Sequence, residues 1–99
     1  MQAMMEIEEI REVAANLFKE MFPKNDLVEV VVKPGLDWEG DKILDIIFVF
    51  DKAKMLDARK SIKLGTLVRN QIVVEEDRFP LIEFVNKEDA KVMKIGSAA

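Results

Sequence analysis

The stretch LVEVVVKPGLDWEGDKILDIIFVF, residues 27–50, decides the fold of this chain. Its first part, residues 27–33, is rich in valine. Its last part, residues 43–50, alternates between one wholly apolar face and a second face that is apolar except for Asp45. Both patterns are typical of β-strands. Because a short polar segment joins the two strands, we expect an antiparallel hairpin whose second strand is buried on at least half of its other face.

The polar segment, PGLDWEGDK (residues 34–42), carries three carboxylates at alternate positions and the single tryptophan, Trp38. Alternate carboxylates begin an EF-hand calcium loop, but here the glycine falls at loop position four instead of six. Phe48 stands where that loop requires a bidentate glutamate. Proline–glycine and glycine–aspartate pairs are instead typical of turns. We therefore predict a turn without a metal site, and Trp38 is a candidate contact anchor because tryptophan is enriched at binding hot spots.

Helical periodicity flanks the hairpin. Residues 4–22 repeat apolar side chains every three or four positions with an acidic outer face, and Pro23 ends the pattern. A second helical pattern runs from about residue 54 to residue 76, with Ile62 in its apolar stripe. Gly65 interrupts this stripe, which indicates a kink, a break into two helices, or a close approach to the sheet.

A third strand is predicted at residues 79–85, where Pro80 belongs at the strand's start or on an edge. Asn86 is a good cap for a short helix over residues 87–94. We predict one α+β domain, residues 1–95, of order αββαβ(α), followed by a flexible tail, residues 96–99. Its three-stranded mixed sheet would carry two helices on one face, with the third strand parallel to the second.

Composition excludes much chemistry. The 99 residues include no cysteine, histidine or tyrosine, so thiolate zinc sites, cysteine nucleophiles and the commonest general base are absent. Ser61 lies one step from Lys60, and adjacent helical residues do not face each other. We predict a protein that is not an enzyme and takes no cofactor or small-molecule substrate. The acidic start and the lack of a long apolar run predict a cytoplasmic protein without a membrane span.

The net charge of −4 argues against broad nucleic-acid binding, but basic residues are concentrated between residues 52 and 69. Such a cluster could track phosphates, or it could be a solvated helix face that pairs with acids elsewhere. The candidate contact residues of this basic cluster are Lys54, Arg59, Lys60, Lys63 and Arg69.

The run LGTLVRNQIVVEEDRFPLIEFV, residues 64–85, resembles the end of bacterial ribosome-binding factor A, a family with a type II KH-like fold. Gly65, Arg69, Pro80 and Phe84 carry the resemblance, which implies an αββαβ order, a helix interrupted near a small residue, and RNA or ribosome binding. The chain departs from the family by having acids at residues 75–77 and no GxxG loop to clamp a nucleotide backbone.

Two functions of different class follow. The first is a small non-catalytic interaction module that binds another protein or a second copy of itself, through open sheet edges or adaptable apolar surfaces. The second is a KH-like RNA or ribosome contact through the basic cluster. The acids at residues 75–77 favour the protein partner.

Overall fold

The computed structural model of the chain describes residues 4–51, 56–72, 74 and 78–96. Its elements confirm the predicted α+β class and order. They are α1 (Ile7–Met21), β1 (Leu27–Leu36), β2 (Lys42–Phe50), α2 (Ala58–Gln71), β3 (Phe79–Asn86) and α3 (Lys87–Met93).

The sheet is mixed, as predicted, and β2 lies at its centre. It pairs antiparallel with β1 and parallel with β3. Because β2 has a neighbour on each side and packed elements on both faces, its residues Ile46, Ile47, Phe48 and Val49 are all buried. This explains why β2 contains the longest uninterrupted apolar run of the chain, residues 46–50.

Helices α1 and α2 cover one face of the sheet and form the main core. Phe18 of α1 and Leu64 and Val68 of α2 are fully buried against the β2 side chains Ile46 and Phe48. The smaller helix α3 covers part of the opposite face, a layer that the sequence analysis did not foresee. There, Ala90 and Ile95 pack with Ile47 and Val49.

The hairpin differs from its prediction in one respect. Strand β1 continues through Pro34 and Gly35 to Leu36, so the turn begins at Asp37 rather than at Pro34. Pro34 is tolerated in the ladder because β1 is an edge strand, where a missing N–H need not break a bond to a neighbour. A register shift between Leu27 and Glu29 marks a β-bulge near the start of the strand.

The second helix is shorter than its predicted range. It begins at Ala58 because the Asp57 side chain caps it, accepting a hydrogen bond from the Lys60 N–H at 3.0 Å. It ends at Gln71. The predicted extensions over residues 54–55 and 75–76 lie outside the described residues.

Gly65 does not break this helix, since α2 is continuous from Ala58 to Gln71. It marks the third alternative, a close approach to the sheet. A Cβ atom placed on Gly65 would lie 3.7 Å from Cγ1 of Ile82 on β3. Helix α2 therefore lies over the edge strand at Gly65, at a distance at which a methyl group would make an ordinary van der Waals contact.

The described residues after β3 pack against the rest of the domain through α3 and Gly96. Asn86 caps α3 by accepting from the Asp89 N–H at 2.9 Å, and Lys94 ends it in the left-handed conformation. Gly96, assigned to a flexible tail, lies so close to β1 that an added Cβ would be 2.5 Å from Glu29 Oε1. Residues 97–99 of that predicted tail lie outside the described residues.

Candidate functional site

An open apolar groove runs between α2 and the edge strand β3. Its volume is about 310 Å³. The lining residues come from one face of α2 and one face of β3, and they are Ser61, Ile62, Gly65, Arg69, Ile82 and Phe84. The groove exists because Gly65 contributes no side chain, so that the floor is formed by Ile82 and Phe84 of the strand below.

Ile62 is the residue that makes this groove a candidate binding surface. Its side chain is 74% exposed at the rim, although the sequence pattern had placed it in the buried stripe of α2. That prediction was wrong because the stripe is wider than the surface that α2 buries, and Ile62 lies at its edge. A large apolar side chain beside an apolar groove is typical of contact surfaces. The sequence signal for this surface is the position of Ile62, about one helical turn before Gly65.

Arg69 closes one end of the groove in a fixed geometry. Its Nε donates a 3.1 Å hydrogen bond to the Pro80 carbonyl, and its guanidinium carbon lies 5.3 Å from the centre of the Phe79 ring. The second contact is a cation–π interaction. Arg69 is therefore anchored to the start of β3, and its planar group is already stacked on an aromatic ring.

The predicted basic cluster does not converge on one place. Arg59 and Lys63 are exposed and lie one turn apart on α2. Lys60 instead lines a separate small cavity with Met21 and Phe22 at the end of α1. Arg69 belongs to the groove, and Lys54 lies outside the described residues.

Arg59, Lys60 and Lys63 form no ion pair within the residues that the structure describes. In the described part of the chain, the ion pairs join Glu8 to Arg11 and Asp51 to Lys87 and do not involve α2. The alternative that this face pairs with acids elsewhere in the domain is therefore not seen for Arg59, Lys60 or Lys63.

The acidic segment forms a well-defined hairpin turn. Asp37 Oδ1 accepts hydrogen bonds from the N–H groups of Glu39, at 2.9 Å, and Asp41, at 2.8 Å. Gly40 supplies the positive φ of +89° that the turn needs. This carboxylate is thus committed to the turn. Nowhere in the described ranges do three acidic side chains cluster as metal ligands would.

Trp38 stands at the tip of this turn with 92% of its surface exposed. The hydrogen bonds below it fix the backbone, so the indole is held away from the domain. The tip belongs to the β1–β2 hairpin, whereas the groove lies between α2 and β3. The structure therefore does not bring Trp38 together with the groove.

Both sheet edges are partly closed by arginine. Arg11 of α1 donates from Nε to the Val30 carbonyl on β1 at 3.1 Å, and Arg69 of α2 does the same to Pro80 on β3. Each helix thus sends one guanidinium to the edge strand that it covers. The open sheet edges expected from the sequence are blunted, which disfavours strand addition at these positions.

Comparison with known proteins adds no relative: no family model, curated protein or solved structure matches the chain. None of the helices in the described ranges combines the length and the apolarity needed to cross a bilayer.

Proposed function

We propose that this protein is a small non-catalytic cytoplasmic module that binds another protein through the α2–β3 groove. The observation that carries the proposal is the exposed Ile62 side chain at the rim of an apolar groove. Desolvating that side chain and the groove floor is the favourable free energy that a partner would gain.

The charges around the groove define the partner's chemistry. Arg59, Lys63 and Arg69 are exposed on the same helix as Ile62, and α2 contains no acidic residue. A partner segment with apolar side chains flanked by Asp or Glu fits this surface, because complementary charge raises the association rate and orients the encounter. Since the edge carbonyl of Pro80 is taken by Arg69, the segment is expected to dock by its side chains rather than as an added strand.

A non-catalytic role agrees with the side chains available. The Ser61 hydroxyl donates a 2.9 Å hydrogen bond to the Asp57 carbonyl, and Thr66 donates to Ile62 at 3.3 Å. Both hydroxyls are therefore engaged with the helix backbone rather than with a lysine that could activate them.

RNA binding is the second candidate, favoured by the unpaired side chains of Arg59, Lys60 and Lys63 and by the KH-like resemblance of residues 64–85. The groove is less suited to it. Single-stranded RNA is held by stacking bases on aromatic or arginine planes, whereas the rim residue here is an isoleucine. Arg69 is already stacked, and α2 is continuous at the glycine where the family has an interrupted helix.

The test is capture of partners from lysate on the immobilised protein, with and without ribonuclease, using three proteins. These are the wild type, Ile62→Ser, and the matched control Val92→Ser, which alters a side chain that is 82% exposed on α3. We expect one protein to bind wild type and the control at fixed stoichiometry, to be lost with Ile62→Ser, and to resist ribonuclease.

Two results would contradict the proposal. Ribonuclease-sensitive capture that is abolished by Arg59→Glu with Lys63→Glu, and that weakens steeply with salt, would replace it with RNA binding. Capture that survives Ile62→Ser would show that the groove is not the binding surface.

A further inference from the structure

A second surface, separate from the groove, lies on the solvent side of the helical layer. Helix α1 presents a row of exposed acids there and α2 presents a row of exposed bases. We call them the acidic row (Glu9, Glu12, Glu20) and the basic row (Arg59, Lys60, Lys63). In the described part of the chain, no side chain of one row forms an ion pair with the other row.

Glu9 belongs to the capping box of α1, where it accepts a hydrogen bond from the Glu6 N–H at 3.2 Å, but three other charges of the rows do not stabilise the helices that carry them. Glu20 lies in the last turn of α1, near the negative end of that helix's dipole. Arg59 and Lys60 lie in the first turn of α2, near the positive end, and that turn contains no acid. Because these three placements oppose their own helix dipoles, folding of the monomer does not account for Glu20, Arg59 or Lys60.

The two helices are antiparallel. Met21, the last residue of α1, and its C-cap Phe22 line the same small cavity as Lys60 of α2 and its N-cap Asp57. Glu20, at the end of the acidic row, therefore lies at the same end of the helical layer as Arg59 and Lys60, at the start of the basic row.

We propose that the helical layer binds a second copy of this chain as a two-fold symmetric dimer. A two-fold axis that lies in the interface, runs along the helices and passes between them places α1 of each copy on α2 of the other. The acidic row of each copy then faces the basic row of the other copy, so the same contact occurs twice. A two-fold axis across the helices would instead place α1 on α1 and α2 on α2, so that like charges meet.

Rotation about the axis that runs along the helices does not change the position of any residue along the helix direction. Glu20 of one copy consequently lies at the end of the layer where Lys60 of the second copy is found. Val13 and Leu17 of α1 and Leu67 of α2 are partly buried and keep a minor part of their surface exposed in the layer. The contact would remove them from water, and this apolar area adds to the attraction between the rows.

The dimer is held largely by exposed charges, which salt screens. We expect sedimentation equilibrium to show self-association at an ionic strength of about 20 mM. The dissociation constant should rise by about tenfold or more at about 300 mM, because the Debye length then falls well below 10 Å.

Charge reversal supplies the decisive test. An acid-reversed variant carries Glu12→Lys and Glu20→Lys, and a base-reversed variant carries Lys60→Glu and Lys63→Glu. Each should be monomeric alone, because its reversed side chains then face charges of their own sign. An equimolar mixture of the two should dimerise, because each variant meets its opposite. Glu20→Lys and Lys60→Glu now agree with their helix dipoles, so both variants should retain the wild-type circular dichroism spectrum.

A matched control changes Lys91→Glu and Lys94→Glu around α3, on the other side of the sheet. It alters net charge as much as the base-reversed variant and should leave the dimer intact. A monomeric wild type at low salt would overturn the proposal. So would a dimer that tolerates either reversal, or a mixture that does not reassociate. Ile62 is unchanged in these variants, and the acid-reversed variant alters no residue of α2, so its result is independent of the groove.

Discussion

Phe48 of β2 and Phe84 of β3 are directly paired in the parallel ladder, and their rings stack with centroids 5.2 Å apart and planes 15° apart. Phe18 of α1 stacks on Phe48 from the helical side, at 5.5 Å and 21°. Three rings thus connect α1, the central strand and the edge strand, and Phe48 is the ring shared by both contacts.

Removing the shared ring should therefore be costly. Phe48 has no exposed surface, so we expect Phe48→Ala to lower the free energy of unfolding by about 3–5 kcal/mol through lost burial and the cavity that remains. Urea denaturation followed by far-UV circular dichroism measures this. Phe79→Ala is the control; its ring is 54% exposed, and a loss below about 1 kcal/mol is expected. Equal losses in the two variants would contradict the three-ring account.

Gly65→Ala should stabilise the protein by about 0.5–1 kcal/mol, because alanine is the better helix former. Its Cβ would meet Ile82 at 3.7 Å, an ordinary van der Waals contact. The same urea titration applies, and a clear loss of stability would mean that α2 approaches β3 more closely than described. Because the methyl group enters the groove, this variant also tests partner binding in a fold that is at least as stable.

Gly96→Ala should have the opposite effect. Gly96 has a φ of +57°, and an added Cβ would also lie 2.7 Å from Val31 Cγ2. We expect a loss of more than about 1 kcal/mol, the usual cost of a left-handed non-glycine residue, since the close contact adds to it. Gly40→Ala is the control, with positive φ but no atom within 4 Å. Thermal unfolding of both should rank Gly96→Ala as the more damaging, and the reverse order would argue against a tethered chain end.

Arg11→Ala should promote aggregation more than it lowers stability. It frees the Val30 carbonyl on the edge of β1, so the edge becomes better able to pair with another chain. The lost hydrogen bond accounts for about 1 kcal/mol. Light scattering against time, below the unfolding temperature, follows the effect. Lys19→Ala, another exposed change on α1, should stay soluble, and identical behaviour of the two variants would discount the role of the arginine.

Trp38 should report on the hairpin tip and not on folding. As the single tryptophan, and 92% exposed, it should be quenched by acrylamide nearly as readily in the folded as in the unfolded protein. Trp38→Ala should change stability by less than about 0.5 kcal/mol. A strongly protected indole would show that the tip is covered in solution, for example by another copy.

The sequence predicts most closely those elements whose pattern of residues fits only one environment in the fold. Strand β2 is apolar on both faces, and Asn86 and Pro23 mark helix boundaries by their own chemistry, so these features were predicted closely. Strand β1 was cut short at Pro34, because whether a strand tolerates proline depends on its being an edge, which is a tertiary property. The exposure of Ile62 could not be predicted for the same reason. The sequence shows an apolar stripe on α2 but does not show how much of that stripe the sheet covers.

The site was predicted less well than the fold. The sequence indicates the residues of the basic cluster, but the structure separates Arg69, which lines the groove, from Arg59, Lys60 and Lys63 on the solvent side of α2. The arginine contacts to Val30 and Pro80 join residues distant in sequence, and no local pattern announces them. Gly65 is an unfavourable residue inside a helix, so the sequence predicts a special role for it, and a close approach to the sheet is one of the alternatives that it allows.

The central position of β2 has a consequence for how the protein is made. On the ribosome, residues 27–50 emerge as a hairpin whose inner strand has no neighbour on one side until β3 has been synthesised, after the whole of α2. During that interval the most apolar strand of the chain exposes an unpaired edge, the kind of surface that nascent-chain chaperones shield. Slow codons placed between residues 51 and 78 should therefore lower the soluble yield, whereas slow codons after residue 86 should not.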